Sequence, residues 1–405
     1  MKSRKLTNLV LLASVIAATF LVLEYFLENY LITKTPVKLH FSLPPALAVL
    51  AQSSKTGRIP ENYIAIVGDS FAQGKGDWLL EIDANTNDAF HSAHVLHELS
   101  GRDVISFGKG GASNVKGWVR EPVAKYRFIR DKIDTSLAPP GIILAYFYAG
   151  NDLVDNVMDM RESFIPQYGE VALEDDMAWN EFFETSIEGC RVGPYSGMNS
   201  NFGWLPRATF KVLQKELKPG KAGDELGDIR IRKTGKVNSV RVNGEEVYLP
   251  DRLQSTALEL SQDETELAFL VLTRSLEYLK NRFNESQVVV VYIPSVIESY
   301  SWMSREVSIS NPIAKNGERI EEFHTSSGLT QRSDEIAGRV KTIAESLGLV
   351  FIDTRSDIRA VSARQIIHGP IDWAHFNRSG YEALAQSIIS GLISQDILKS
   401  PAEDL

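Results

Sequence analysis

Residues 63–78 read YIAIVGDSFAQGKGDW, and the reading of this stretch decides the fold. Tyr63 to Val67 is a short, unbroken apolar run, the composition of a strand covered on both faces rather than of a half-exposed one. Its tip delivers Gly68, Asp69 and Ser70, followed by small residues and glycines. A strand that ends this way holds either a phosphate loop or a hydroxyl presented for reaction. A Walker A loop needs four residues between its first glycine and Gly-Lys-Ser/Thr, so that lysine and hydroxyl reach phosphate and Mg²⁺. Here five intervene before Gly74-Lys75, and Gly76 stands where the hydroxyl should be. The phosphate reading falls, and Ser70 remains a candidate nucleophile, with a plain Gly-Asp-Ser turn as the bland alternative.

Outward from this strand, apolar runs alternate with helical patterns. Helices are expected over 89–99 and 115–129, and strands over 103–107 and 141–148. The alternation resumes with a helix over 264–283, the strand VVVVYIP at 288–294, a helix over 333–347, the strand LVFID at 349–353 and a helix over 380–393. Strands alternating with helices predict a parallel sheet covered by helices. Between them the chain is acidic and glycine-bearing, and SVRVNGEEVYL places Asn243-Gly244 between two alternating runs, a strong hairpin pattern because both residues tolerate positive φ.

The composition of the 405 residues, 43% hydrophobic and 23% charged, is ordinary for a globular protein. A formal net charge of -9 without a clustered basic face argues against nucleic acid as partner. The one cysteine, Cys190, excludes an intrachain disulfide framework. At the N-terminus Lys2, Arg4 and Lys5 precede an uncharged, mostly apolar run from Leu6 to Leu23, which at about 1.5 Å per residue can cross a bilayer. No small-x-small cleavage pattern follows Ala18, so an uncleaved signal-anchor is expected, with its basic end cytoplasmic and the body outside. The expected organisation is therefore a cytoplasmic tip and transmembrane segment over 1–32, a proline-bearing stalk over 33–61, a first domain part over 62–157, an insertion with a β-hairpin and helix over 158–285, and a second part over 286–395. The location implied is the inner membrane, single-pass, with a periplasmic body.

Three further stretches bear on Ser70. VISFGKGGASN at 104–114 follows a strand with a glycine loop whose backbone N–H groups can face an anion. YFYAGNDLVDN at 146–156 puts the Asn151 amide just past another strand, and GPIDWAHFNRSGYEALA at 369–385 holds Asp372 and His375 three apart before a helix. In parallel sheets, ligand crevices lie beyond the C-terminal strand ends. A serine hydroxyl attacks a carbonyl well only if a base takes its proton, and His375 is the candidate base. Asp372 can orient and charge-stabilise that imidazole. An oxyanion needs fixed donors, which the Asn151 amide and the N–H groups of Ser70 and Gly111 can supply. Ser379 with Glu382 is the expected capping box of the helix that follows.

Together, GDSFAQG, the glycine after the second strand, GND and DWAH, in this order, resemble the SGNH hydrolase superfamily, also called GDSL-type esterases. The resemblance implies a flavodoxin-like three-layer α/β/α fold and ester hydrolysis or acyl transfer with no cofactor or metal. It implies Ser70, His375 and Asp372 as catalytic residues and Ser70, Gly111 and Asn151 as the oxyanion hole. Ser106 stands where the family often has asparagine, and Gly108, Gly110 and Gly111 compete for one role; Gly111 matches the second glycine of the family's spaced pair. The expected substrate is an O-acyl ester, an O-acetyl ester first, of a cell-envelope carbohydrate. An O-acyltransferase using the same serine and a non-catalytic glycan-binding module are the alternatives. His91, His94 and His97 step around a helix without the glutamate of a HExxH site and are read as ordinary helix residues. His368 is either a cleft residue or a loop residue, and Trp78 and Trp373 are either pocket walls or core.

Overall fold

Five of the apolar runs pair side by side. The computed structural model describes residues 2–26, 30–83, 85–193, 235–254, 257–311 and 320–399. Among them the strands, in chain order, are β1 (Ile64–Val67), β2 (Val104–Ser106), β3 (Ile142–Tyr148), β4 (Ser239–Val242), β5 (Glu245–Tyr248), β6 (Leu253–Gln254), β7 (Gln287–Ile293), β8 (Glu306–Asn311), β9 (Ile320–Thr325) and β10 (Val350–Asp353). The principal sheet has the order β10-β7-β3-β1-β2, every pair parallel. Renumbered within the sheet this is the flavodoxin-like order 2-1-3-4-5, with its topological switch between β1 and β3.

Both faces of the sheet are buried, as the unbroken apolar runs require. Ala65, Val67, Ile143, Ala145 and Phe147 face one core, which contains Trp118 and Val123, Leu153, Leu272 and Val340 from the helical segments on that side. Ile64, Ile66, Ile142, Leu144 and Tyr146 face the other, with Ala93, Ile358, Tyr381 and Leu384. The helices Gln262–Arg282, Ser326–Ser346 and Arg378–Ser394 form where the apolar periodicity places them. The expected hairpin is present as β4 and β5, with Asn243 and Gly244 at φ 52° and 82°. Residues 194–234 of the expected insertion lie outside the described residues. Its C-terminal helix belongs to the principal core through Ala268, Leu272 and Leu276.

Two expectations are corrected. The segment read as a stalk is folded into the body: helix Pro45–Ala51 buries Leu47, Leu50 and Ala51. Its two prolines sit at the start of the helix, where a missing N–H costs nothing. The chain then covers the edge of β2. Gln52 makes a strand-like pair of hydrogen bonds with the backbone of Ser106 (2.7 and 2.8 Å), and Val104 donates to the Ser54 carbonyl at 2.8 Å. An open edge is thereby closed. The last helix is capped by Asn377, which accepts from the Gly380 N–H at 3.2 Å, and not by Ser379. Asn377 is already fixed by its Nδ2 bond to the Ile366 carbonyl at 3.0 Å. At the other end of the chain, Lys2–Phe26 is one helix whose Leu6–Leu23 window has a mean hydropathy of 2.4 and is wholly unburied, long and apolar enough to cross a membrane.

Candidate active site

The site is built at the C-terminal ends of β1, β2 and β3, beside the switch point. Past β1 the chain turns into a single helical turn, Ser70–Gln73, capped by Asp69, whose Oδ1 accepts the Phe71 N–H at 2.9 Å. This cap places Ser70 at the first helical position, with its Oγ 2.8 Å from His375 Nε2. His375 Nδ1 is in turn 2.6 Å from Asp372 Oδ2. The hydrogen-bond chain Ser70–His375–Asp372 spans 305 positions of sequence between its first two members. With a carboxylate on Nδ1, the neutral imidazole carries its proton there and offers Nε2 as acceptor.

Ser70 Oγ also lies 3.2 Å from Asp69 Oδ2. A hydroxyl has one proton to give, and the shorter contact is with the imidazole. Burial raises the Asp69 carboxyl above its ordinary range, against the pull of the Phe71 N–H and His375. Asp372 goes the other way: burial alone would raise it, but His375 and the Ala374 N–H hold it below the usual carboxylate range. It therefore stays ionised beside the imidazole.

The loop carrying Asp372 and His375 is held by residues that no motif announced. Asp77 accepts the backbone N–H of Ile371 at 2.9 Å and of Asp372 at 2.8 Å. Tyr148 donates to the Ala374 carbonyl at 3.2 Å, and the Phe71 ring packs 5.2 Å from the His375 ring. Gly76, at φ 128°, lets the two loops touch: a Cβ there would sit 2.4 Å from the Phe376 carbonyl oxygen and 3.1 Å from His375 Cβ. Gly76 is thus a packing requirement and not the flexible border that its neighbourhood of glycines suggests.

The glycine loop after β2 is tied to the Ser70 helix by Ser106, whose hydroxyl donates to the Ala72 carbonyl and accepts the Gly108 N–H at 3.1 Å. The residue that departs from the family pattern is therefore a structural bridge. Gly110 spends its N–H on Gln73 Oε1 at 2.8 Å, which removes it as a free donor. Gly111, exposed and at φ 67°, donates its N–H to no group among the described residues. Past β3, Asn151 opens the helix Asp152–Asp159, and its Nδ2 donates to Asp155 Oδ2 at 2.8 Å. Asp152 is fully buried and accepts the Tyr148 N–H and Asn114 Nδ2, both at 3.1 Å, fixing the turn from which Asn151 projects.

His94, His97 and His368 each make a side-chain contact outside this hydrogen-bond chain. His94 contacts Ser53 Oγ at 2.7 Å and His97 contacts the Arg102 carbonyl at 2.6 Å. His368 is wholly buried, with Nδ1 3.1 Å from the Tyr300 hydroxyl and its ring 4.8 Å from Phe376. It supports the loop from beneath. Trp78 and Trp373 are both buried, and Trp373 donates to the Pro370 carbonyl at 3.0 Å.

Among solved structures, a catalytic mutant of an acetylxylan esterase from Geobacillus stearothermophilus matches at 11% identity and a TM-score of 0.34, over 82% of this chain and 95% of that one. The native aryl esterase of M. smegmatis matches at 12% identity and a TM-score of 0.31, over 83% and 99%. No protein-family model and no curated protein matches the sequence.

Proposed function

We propose that this chain is a serine ester hydrolase of the SGNH type, with Ser70 as nucleophile, His375 as general base and then acid, and Asp372 as the group that orients and stabilises the imidazole. The observation that supports this reading is the unbroken hydrogen-bond chain from Ser70 Oγ through His375 to Asp372 at 2.8 and 2.6 Å. A turn serine and a solvated Asp-x-x-His cap have no reason to meet across the whole domain. In the first step Ser70 Oγ bonds to the ester carbonyl carbon while its proton passes to His375 Nε2. The carbonyl oxygen becomes an oxyanion, received by the N–H groups of Ser70 and Gly111 and by Asn151 Nδ2. Collapse expels the alcohol, which takes the proton from His375. Water, deprotonated by the same imidazole, then releases the acid from the acyl-enzyme.

The substrate in this reading is an O-acetyl or other short O-acyl ester on a cell-envelope carbohydrate, an assignment that rests on the family resemblance and on the placement of the body outside the cytoplasm. The segments 62–157 and 286–395 form the hydrolase domain, joined by the helix 262–282. The N-terminal helix is its signal-anchor, with the body periplasmic.

The test is hydrolysis of p-nitrophenyl acetate and labelling by a fluorophosphonate probe, using the full chain in detergent micelles. Wild type should label and turn over, with Ser70→Ala and His375→Ala slower by roughly 10⁴-fold or more. An unlabelled wild type no faster than these variants overturns the reading. A sugar acceptor added to the same reaction separates hydrolysis from acyl transfer, and alkaline phosphatase fused after residue 60 is active only if the body is extracytoplasmic.

A further inference from the structure

Asn151 makes one side-chain hydrogen bond among the described residues, from Nδ2 to Asp155 Oδ2 at 2.8 Å, one helical turn on. Its Oδ1 is buried and has no partner. The orientation of this carboxamide therefore depends on a single neighbour. An ionised carboxylate only accepts, so it selects the nitrogen side of the amide. A protonated carboxyl can also donate, and its O–H is satisfied equally well by the amide oxygen. The amide rotated by half a turn, which gives the buried Oδ1 the partner it lacks, is then the preferred one.

We infer that Asp155 is a positioning residue of the site: its ionised form fixes the Asn151 carboxamide with an N–H available to the oxyanion, and its protonation releases that orientation. This rests on the reading of Ser70 as nucleophile. The surroundings of Asp155 place the change in a working range of pH. Asp69 faces it from the end of β1, Asp152 and Asp159 from its own helix, and Lys116 from the segment Val115–Arg120. Burial and the Asp69 charge push the Asp155 carboxyl up to about 7, while Lys116 pulls against them. Lys116 is engaged by Asp159 at 2.7 Å and so does not neutralise Asp155 outright. An oxyanion-hole donor is typically worth ~10²–10³ in kcat, so titration of Asp155 gates turnover.

The experiment is the pH dependence of kcat for p-nitrophenyl acetate, with the full chain in detergent micelles, for wild type, Asp155→Asn, Asp155→Ala and the same changes in an Asn151→Ala background. Asp155 must be ionised in wild type to hold the Asn151 amide, so log kcat should fall more steeply on the acid side than in a variant that does not titrate at this position. Asp155→Asn does not titrate and, like the protonated carboxyl, both donates and accepts; it should lose activity at every pH and show a shallower acid limb. Asp155→Ala should lose about 10-fold or more at every pH. Neither change should matter once Asn151 is alanine. Wild-type slope and rate in Asp155→Asn overturn the inference, as does an equal loss from the Asp155 changes with and without Asn151, which marks a merely structural carboxyl. A wild type that neither labels with fluorophosphonate nor outpaces Ser70→Ala instead overturns the underlying reading of the serine.

Discussion

Asp77 and Asp372 lie 295 positions apart in the sequence, and the carboxylate of the first accepts the backbone N–H of the second at 2.8 Å. The other Asp77 oxygen takes the Ile371 N–H at 2.9 Å. One buried side chain thereby clamps the loop that carries His375 to the segment that follows Ser70. Asp77→Ala should leave KM nearly unchanged and lower kcat by about 10²-fold, the scale of a misplacement near 1 Å. Steady-state kinetics beside fluorophosphonate labelling rates decide the point: a rise in KM at constant kcat would assign Asp77 to substrate binding instead.

Two glycines near the site should respond oppositely to the same change. At Gly76 an added Cβ meets the Phe376 carbonyl oxygen at 2.4 Å, so alanine there must displace the histidine loop. Gly76→Ala should abolish most activity and lower stability by about 1–3 kcal/mol, as overpacking does. At Gly111 the space is open and only φ 67° opposes alanine, at a cost of about 1–2 kcal/mol. Gly111→Ala should stay folded and keep measurable activity. Denaturant midpoints and kcat for the pair give the answer, and equal behaviour would remove the argument from close approach.

Two buried histidines should make the fold sensitive to acid well above the range of ordinary carboxyl protonation. Burial pushes His40 and His94 down to about 4, from 6.5. Between those values the unfolded chain binds protons that the native protein refuses. Their contribution to stability therefore rises with pH from about 4 to 6.5 and is lost as pH falls through that window, while Asp155, raised to about 7, contributes in the opposite sense. Each histidine contributes at most roughly 3 kcal/mol to this slope. Urea midpoints at pH 7.5 and pH 5 should show His94→Gln gaining, relative to wild type, at the lower pH. A variant whose midpoints follow wild type at both pH values contradicts the burial of this imidazole.

Much of the fold was legible because a buried parallel strand writes itself as an unbroken apolar run. Tyr63–Val67, 141–148, 288–294 and 349–353 each became a strand within a residue or two. The Asn243-Gly244 hairpin was legible for the same local reason, since its backbone conformation is a property of two adjacent residues. The segment 33–61 carries prolines that are locally compatible with a spacer, whereas the apolar face of Pro45–Ala51 finds its partner only in the folded core. Asp77 and Asp155 left no mark in the sequence at all. Each acts on a backbone group or amide whose position depends on how the loops come together.

The sequence by itself determined the alternation of strands and helices, the apolar N-terminal helix and the identities of Ser70, Asn151, Asp372 and His375 as candidates, because propensity, hydrophobic period and motif spacing are local. Only the tertiary structure decided that Ser70 and His375 meet at 2.8 Å, that Asp69 contacts the Ser70 hydroxyl while capping its helix, and which glycine N–H finds no partner among the described residues. Those facts depend on distances between segments up to 306 positions apart. Such distances are fixed by the packing of both sheet faces, and no short-range pattern encodes them.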